Sequence, residues 1–193
     1  MFDNIKDVIK ILKRKNKPYF VHESSYIDDN VIIGEGTKIW HFSHILSGVK
    51  IGKNVTIGAC VTVGPNVIIG DNCKIQNNVS IFPGVILEDD VFVGPSAVFT
   101  NVLNPRATVS RKNEFRNTIL KHGSSIGANA TIICGHNIGE YAFVGAGSVV
   151  TKDVGAHEMF LGNPAIYKGK ICKCGKSYGK DYIICDVCKW TKK

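Results

Sequence analysis

An aliphatic residue returns every six positions between residues 33 and 100 of this chain. Eleven consecutive units begin with Ile, Val or Leu, Gly follows in six of them, and the fifth place usually holds a small or β-branched residue. The same phase reaches back through Val21 and Ile27 and resumes over residues 120–149. No α-helix has this period, and an ordinary strand alternates every two residues. Units this short cannot bury an apolar side alone, so the pattern predicts an all-β fold, a parallel β-helix of hexapeptide repeats.

The repeat is interrupted once, between Phe99 and Leu120. This interval is 21 residues, which is not a multiple of six, so about fifteen residues are expected to leave the wall as an inserted loop, residues 101–118. The basic residues of this loop are Arg106, Arg111, Lys112 and Arg116. A long excursion from a regular scaffold often carries function, and clustered cations favour an anionic substrate. Solvated cations without a ligand are the alternative.

The positive charge of the chain lies at its two ends. Residues 1–20 carry six Lys and Arg against two Asp and Glu, and residues 166–193 carry eight against two. The segment between them carries ten against twelve, although the whole chain has a net charge of +8. The repeats therefore offer no cationic groove, and a solvated basic tail is favoured over nucleic-acid binding. No nucleic-acid partner is expected.

Residues 1–20 are expected to form a helix that caps the solenoid. One helical stripe within this segment is apolar, with lysines opposite, and consists of Ile5, Val8, Ile9 and Leu12. A membrane-surface helix is the alternative, but the open end of a solenoid needs such a cover. The sequence has no apolar run long enough to span a bilayer and no signal-peptide pattern. A cytoplasmic protein without membrane insertion is therefore expected.

The hexads of residues 21–167 resemble those of the left-handed β-helix acyltransferases, in which three hexads form one triangular coil. The resemblance implies a left-handed domain, and the hand comes from the family because parallel crossovers are usually right-handed. With three hexads per coil, residues eighteen apart stack at about 4.8 Å. One such column consists of His41, Ala59, Asn77, Pro95, Ala128 and Ala146. Its small residues, Ala128 and Ala146, would let an extended ligand such as a pantetheine arm lie against the backbone.

Longer runs carry a closer resemblance. They are IWHFSH, KIQNNVS, LEDDVFVGPS, VFTNVLNPR, SIGANATIICG, IGEYAFVGAGSVVTKDV and GNPA. These runs resemble the bacterial UDP-2-acetamido-3-amino-2,3-dideoxy-glucuronate 3-N-acetyltransferases. The resemblance implies acetyl transfer from acetyl-CoA to the 3-amino group of a UDP-linked amino sugar in surface polysaccharide (lipopolysaccharide) biosynthesis. It also implies a homotrimer with each active site between neighbouring subunits. The dTDP-3-amino-3,6-dideoxyhexose N-acetyltransferases share LEDD but lack the QNN run, and they are the alternative.

The same resemblance suggests roles for individual residues. Asn77 would be the catalytic residue that holds the sugar amine, while the departing CoA sulfur takes the proton. The residues expected to bind the nucleotide-sugar are His41 (from its place in the column), Glu88, Asp89, Asn101 and Arg106. Those expected to bind acetyl-CoA are Ala128 and Ala146, from the column, with Lys152, Asn163 and Pro164. A turn residue that satisfies its own backbone is the alternative for Asn77. A catalytic base among His41, His44 and His136 is the alternative mechanism.

Residues 168–193 form a Cys-rich tail in which CKCG is followed by CDVC. The four cysteines are Cys172, Cys174, Cys185 and Cys188. Two such pairs suit a structural Cys₄ zinc knuckle, although the first pair departs from the commoner C-x₂-C spacing. Reduced thiols without a metal are the alternative. The remaining cysteines, Cys60, Cys73 and Cys134, are expected as small core or wall residues.

Two other classes of protein built from hexapeptide repeats are alternatives to an acetyltransferase. A non-enzymatic scaffold has no need of the cationic loop or the column of small residues. A zinc-dependent carbonic anhydrase needs three histidines that converge on a metal at a subunit interface, and these spacings give no such set.

Overall fold

The computed structural model of the protein describes residues 18–178, 185 and 187–189. Short strands separated by tight turns wind through this part of the chain, and most of them pair in parallel with a strand eighteen residues away, as Phe20 does with Lys38. Three sheets result, and they enclose one core. The prediction of an all-β parallel β-helix is confirmed. The predicted N-terminal capping helix lies outside the described residues, except for its last three positions.

The three sheets are named A, B and C. Sheet A contains β1 (Phe20–Val21), β4 (Lys38–Ile39), β7 (Thr56–Ile57), β10 (Lys74–Ile75), β13 (Phe92–Val93), β16 (Ser125–Ile126), β18 (Phe143–Val144), β20 (Glu158–Leu161), β21 (Ile166–Ile171) and β22 (Ser177–Tyr178). Sheet B contains β2 (Tyr26–Ile27), β5 (His44–Ile45), β8 (Thr62–Val63), β11 (Ser80–Ile81), β14 (Val98–Phe99), β17 (Thr131–Ile132) and β19 (Val149–Val150). Sheet C contains β3 (Ile32–Ile33), β6 (Lys50–Ile51), β9 (Ile68–Ile69), β12 (Val85–Leu87) and β15 (Thr118–Leu120). Up to β20 the chain visits the sheets in the order A, B, C, so the turns of the solenoid lie at A–B, B–C or C–A corners.

The core is filled from two places of each hexad. The opening aliphatic residue faces inward, as at Ile57 and Ile75, and so does the fifth residue, as at Val55 and Val61, all of them fully buried. Burial of each such side chain contributes about 1.5–3 kcal/mol, which compensates for strands too short to be stable alone. The stacked aliphatic residues therefore set both the register and the phase of the coils.

The fourth place of each hexad turns the corner with a left-handed backbone. All eleven hexads between residues 33 and 98 have positive φ there, and Gly or Asn occupies seven of those places. These two residues adopt that conformation at the lowest cost. Gly or Asn at the fourth place is thus a turn signal that the aliphatic period alone does not contain. Phe42, with φ 57°, is the bulkiest side chain held in this conformation among these eleven.

The inserted loop leaves at a B–C corner and returns in register. Phe92 pairs with Ser125, 33 positions later instead of 18, so 15 additional residues are accommodated. The Arg116 N–H donates to the Asn101 carbonyl at 3.0 Å and closes the base of the loop. A short 3₁₀ helix, η1 (Lys112–Glu114), lies within it. Thr118 already belongs to β15, so the wall resumes one residue earlier than expected.

The last coil ends in an antiparallel hairpin. Strand β20 pairs with β21, and β21 pairs with β22, both antiparallel. Strand β21 crosses the boundary expected at residue 168, so the Cys-rich tail begins inside a strand of sheet A. Over the described part of the chain, no helix has the length and apolar character needed to cross a membrane.

Candidate active site

The column deduced from spacing runs along the A–B corner. The carbonyl of each member before Ala146 accepts a hydrogen bond from the next coil: His41 from Cys60 at 2.9 Å, Asn77 from Ser96 at 2.9 Å and Ala128 from Gly147 at 2.8 Å. These bonds order the column along the solenoid, so its carbonyls hold the coils together. A ligand along this corner must therefore use the amides and side chains rather than most of the carbonyls.

Two amides of the column are available to such a ligand. Neither the Ala128 N–H nor the Ala146 N–H has a hydrogen-bond partner among the described residues. A Cβ added to Gly127 would collide with the backbone nitrogen of Ala146, so this glycine allows the two coils to approach closely. Ala146 is exposed and Ala128 is half-buried. This end of the corner is a shallow strip with two unsatisfied donors, suited to an amide-bearing arm.

Asn77 is exposed at the same corner, but part of its side chain is already used. Its Oδ1 accepts the Ala59 N–H of the preceding coil at 2.8 Å. Asp71 and Asn137 make the same bond at other corners, to the N–H groups of Lys53 and Ile119. The second Oδ1 lone pair and the amide NH₂ of Asn77 remain for a substrate. The structural role weighed for Asn77 is therefore real, although its partner is the neighbouring coil rather than its own backbone.

Glu88 and Asp89 lie at the C–A corner, whereas Asn77 lies at the A–B corner. The Glu88 carboxylate accepts the His122 N–H at 2.9 Å, and the Asp89 carboxylate accepts the Asp71 N–H at 2.7 Å. Both side chains thus contribute to the turns of neighbouring coils. Their C–A corner and the A–B corner of Asn77 lie at the two edges of sheet A, so these residues do not share a corner.

The loop at the B–C corner forms an open, shallow pocket of about 500 Å³. Arg106 and Arg111 both line it. The Arg111 guanidinium donates to both Glu114 carboxylate oxygens, at 2.8 and 3.0 Å, so its charge is compensated inside the loop. Arg106 is exposed, and the one hydrogen bond found for its side chain among the described residues goes to the adjacent Pro105 carbonyl at 3.4 Å. Arg106 is therefore the more available of the two for an anion, whereas Asn101 contributes its carbonyl to the loop's base.

Of the other residues expected around acetyl-CoA, Asn163 and Pro164 lie in a turn that contacts Val149, and Lys152 contacts Phe160. The turn Gly162–Ala165, which contains Asn163 and Pro164, joins β20 to β21. It contacts the coil through the bonds of Val149 N–H to the Gly162 carbonyl (3.0 Å) and Ala165 N–H to the Val149 carbonyl (2.7 Å). Lys152 lies with its Nζ 5.6 Å from the centre of the Phe160 ring.

Each histidine considered as a base already contacts protein groups. The His41 ring stacks on His22 with centroids 3.6 Å apart, in the column but toward its N-terminal end. The His44 Nε2 lies 2.7 Å from an Asp28 carboxylate oxygen. The His136 Nδ1 lies 3.7 Å from an Asp153 carboxylate oxygen, at a different corner from Asn77.

One further cluster had no sequence-based prediction. His122 Nε2 contacts the Tyr141 hydroxyl at 2.9 Å, and the Tyr141 ring stacks on His157 with centroids 5.2 Å apart. Tyr141 and His157 both occupy left-handed turn positions. Aligning the turn positions of successive coils would have indicated that these two residues are neighbours.

The cysteines of the repeat differ in burial. Cys73 and Cys134 are buried, as expected, whereas the prediction is wrong for Cys60, which is exposed at a left-handed corner position with φ 57°. Burial raises the pKa of the Cys73 thiol to about 12, which keeps it protonated and unreactive near neutral pH. The Sγ atoms of Cys172, Cys174, Cys185 and Cys188 all lie within 4.8 Å of one another.

Comparison with known proteins identifies the family. The family described as bacterial transferase hexapeptide (six repeats) matches residues 30–65 and 66–101. The hexapeptide repeat of succinyl-transferase matches residues 48–83 and 123–152. The dTDP-3-amino-3,6-dideoxy-alpha-D-galactopyranose 3-N-acetyltransferase of Aneurinibacillus thermoaerophilus is 45% identical over 155 residues, covering 80% of each chain. The chain belongs to the bacterial hexapeptide-repeat transferases.

Solved structures show the same fold at low sequence identity. A hexapeptide transferase family protein from Anaplasma phagocytophilum aligns with this hexapeptide-repeat transferase with a TM-score of 0.56 and 19% identity, over 80% of each chain. The acetyltransferase domain of PglB from Neisseria gonorrhoeae, in complex with acetyl coenzyme A, aligns with a TM-score of 0.52 and 17% identity. That alignment covers 84% of this chain and 64% of the other. The 45% identity to the Aneurinibacillus transferase confirms the prediction of an enzyme, and the shared folds confirm the predicted left-handed β-helix.

Proposed function

We propose that this hexapeptide-repeat transferase moves an acetyl group from acetyl-CoA to the 3-amino group of a dTDP-linked 3-amino-3,6-dideoxyhexose. The observation that carries the proposal is the 45% identity, over 80% of both chains, to a relative named for that reaction. This comparison favours a dTDP-linked sugar, which the sequence motifs alone indicated only as the alternative to a UDP-linked sugar. The QNN and FTNVLNPR runs favour a UDP-linked 3-amino-uronate instead, which is the second candidate.

The A–B corner supports the chemistry of acetyl transfer. The Ala128 and Ala146 amides would hold the pantetheine arm, with Asn77 about 10 Å further along the column, two coils away. The neutral sugar amine attacks the thioester carbonyl carbon, a C–N bond forms, and the C–S bond breaks. The proton lost by the amine passes to the departing thiolate, so no side chain has to act as the base. Positioning two reactants in this way supplies much of the acceleration.

A complete site requires a second copy of the chain, which supports the proposed homotrimer. Asn77, the Arg106 loop and the Glu88–Asp89 pair stand at three different corners of one subunit. The outward residues of sheet C form a stripe that is apolar apart from Lys50 and consists of Ile32, Lys50, Ile68, Ile86 and Ile119. Ile32 and Ile68 are 61% and 45% exposed, an unfavourable state that packing against a neighbour would relieve. We place the subunit contact on this stripe, between the loop corner and the Glu88 corner.

Replacing Ile68 by lysine should dissociate the trimer, because a charge would be buried in an apolar contact. Light scattering at micromolar concentration should report a monomer mass, and acetyl transfer should fall together with it. Thr62→Lys, on the outer face of sheet B, is the matched control and should leave the mass unchanged. A wild-type monomer with full activity would contradict both the trimer and the shared site.

Replacing Arg106 by alanine should raise the KM for the nucleotide-sugar by about tenfold, because a charge-assisted bond to the diphosphate is lost. The KM for acetyl-CoA should stay within about twofold. Lys112→Ala removes a charge from the same loop and should have a smaller effect on the sugar KM. Equal effects of the two variants would indicate general attraction rather than a contact, and a raised acetyl-CoA KM alone would reverse the assignment of the loop.

The proposal itself is tested by CoA release. Purified protein with acetyl-CoA should release thiol with nucleotide-linked 3-amino sugars, and it should not do so with their 3-hydroxy analogues or with the free amino sugar. Acetyl-CoA binding without release on any amino sugar would refute the proposed acceptor class. Failure to bind acetyl-CoA at all would favour a scaffold.

A further inference from the structure

The tail cysteines form the one group among the described residues whose donor atoms could converge on a metal ion. Cys172 Sγ lies 3.1 Å from Cys188 Sγ, and Cys174 Sγ lies 3.6 Å from Cys185 Sγ. Zinc–thiolate bonds of about 2.3 Å place tetrahedral sulfurs about 3.8 Å apart. The four atoms therefore stand close to the positions that a tetrathiolate site requires.

Backbone hydrogen bonds around these sulfurs also favour a metal site. The Gly175 N–H donates to the Cys172 carbonyl at 2.8 Å and the Cys172 N–H to the Lys176 carbonyl at 2.9 Å, so the first pair stands in a tight turn. The Cys188 N–H donates to the Cys185 Sγ at 3.4 Å, a bond that stabilises a thiolate ligand. Cys172 and Cys185 are almost completely buried, at 2% and 0% exposure.

We propose that Cys172, Cys174, Cys185 and Cys188 bind one Zn²⁺ and that this ion fastens the end of the chain to the last coil. Cys172 directly follows β21, whose other end begins at the turn containing Asn163 and Pro164. The Ile171 N–H donates to the His157 carbonyl at 2.9 Å, so the cluster adjoins the wall of the solenoid. The metal therefore holds the strand that positions this turn, and it takes no part in the chemistry.

The donor set distinguishes zinc from other ligands. Four thiolates without an open position are typical of a structural zinc site, whereas a catalytic zinc keeps one place for water. Iron accepts the same four sulfurs, and two disulfides could form from the same pairs. A Zn²⁺ tetrathiolate carries a net charge of about −2, and Lys173, Lys176 and Lys189 follow within two residues of a cysteine in the sequence.

Metal analysis of the full chain, purified under reducing conditions without chelator, tests the site. We expect about one zinc per chain, falling below about a tenth in Cys185→Ser. Cys60→Ser is the matched control, because Cys60 is an isolated exposed cysteine, and it should keep the zinc. Hydrogen exchange at the Ile171 and Cys172 amides should accelerate about tenfold or more when the ion is removed, while exchange in β7 and β10 should not change.

Wild-type protein with less than a tenth of an equivalent of zinc and four freely reactive tail thiols would overturn the proposal. So would stoichiometric iron, or a mass showing two disulfides. Should Cys185→Ser fail to fold, the zinc content and exchange rates of the wild-type protein before and after chelation decide the question. None of these readouts depends on acetyl transfer, so they can fail independently of the proposed function.

Discussion

Replacing Asn77 by alanine should lower kcat/KM by about 5- to 150-fold, the effect of losing a hydrogen bond of about 1–3 kcal/mol. Acetyl-CoA binding should change little, because the free amides of Ala128 and Ala146 lie two and three coils away. Steady-state kinetics with both substrates, together with acetyl-CoA binding, measure the two effects separately.

The alanine variant alone is ambiguous, because it also removes the bond from Asn77 Oδ1 to the Ala59 N–H. Asn77→Asp keeps an oxygen in that position, as Asp71 does naturally for Lys53. A carboxylate beside the amine would raise the amine's pKa, so the pH–rate profile of this variant should move to higher pH. Asn137→Asp is the matched control: it makes the same change in the same type of bond at another corner. Its profile should not move.

The single replacements His41→Ala, His44→Ala and His136→Ala should each cost less in kcat than Asn77→Ala. Their rings contact His22, Asp28 and Asp153, and the thiolate of CoA can accept the proton. A general base would contribute about 10²–10⁴-fold. A folded histidine variant that keeps the oligomeric state of the wild type and binds both substrates, but has lost activity on that scale, would show that this histidine is the base. The thiolate mechanism would then be wrong. The site at the A–B corner would survive such a result.

Replacing Gly127 by alanine should weaken acetyl-CoA binding by about 5- to 150-fold, because a Cβ forced against the next coil costs about 1–3 kcal/mol. The new atom would meet the Ala146 backbone nitrogen and push apart the two coils whose amides face the ligand. Calorimetric titration with CoA measures the loss.

Gly139→Ala controls for destabilisation alone. Its Cβ would meet the Ala156 nitrogen in the same way, but at the C–A corner. We expect both variants to melt at lower temperature and only Gly127→Ala to lose affinity. Equal losses of affinity would mean that the column at Ala128 and Ala146 does not bind the cosubstrate.

The fold could be predicted because it results from a repeat of aliphatic residues every six positions. The same aliphatic residue every six positions fills the same place in every coil, so a local pattern specifies long-range contacts such as Phe20 with Lys38. The column of Asn77, Ala128 and Ala146 follows from the same repeat. The carboxylate bonds of Glu88 and Asp89 do not, because they depend on which side chain reaches the backbone of the next coil.

The candidate site was harder to predict because its expected residues do not lie at one corner. Spacing assigns Asn77 and Arg106 to different corners only after the order of the sheets is known. The nucleotide is harder still, because the repeat spacing does not specify which side chains contact it. The QNN run and the overall identity to a dTDP-sugar enzyme therefore favour different substrates.

A competition between the two nucleotide-sugars tests the central claim most directly. The purified trimer is given limiting acetyl-CoA and equal concentrations of a dTDP-3-amino-3,6-dideoxyhexose and UDP-2-acetamido-3-amino-2,3-dideoxy-glucuronate. The ratio of the products, each checked by NMR for acetylation on the 3-amino nitrogen, equals the ratio of the kcat/KM values. We predict that the dTDP-linked product predominates by about tenfold or more. A predominant UDP-linked product would contradict the assignment of substrate, and the absence of both would contradict the proposed reaction.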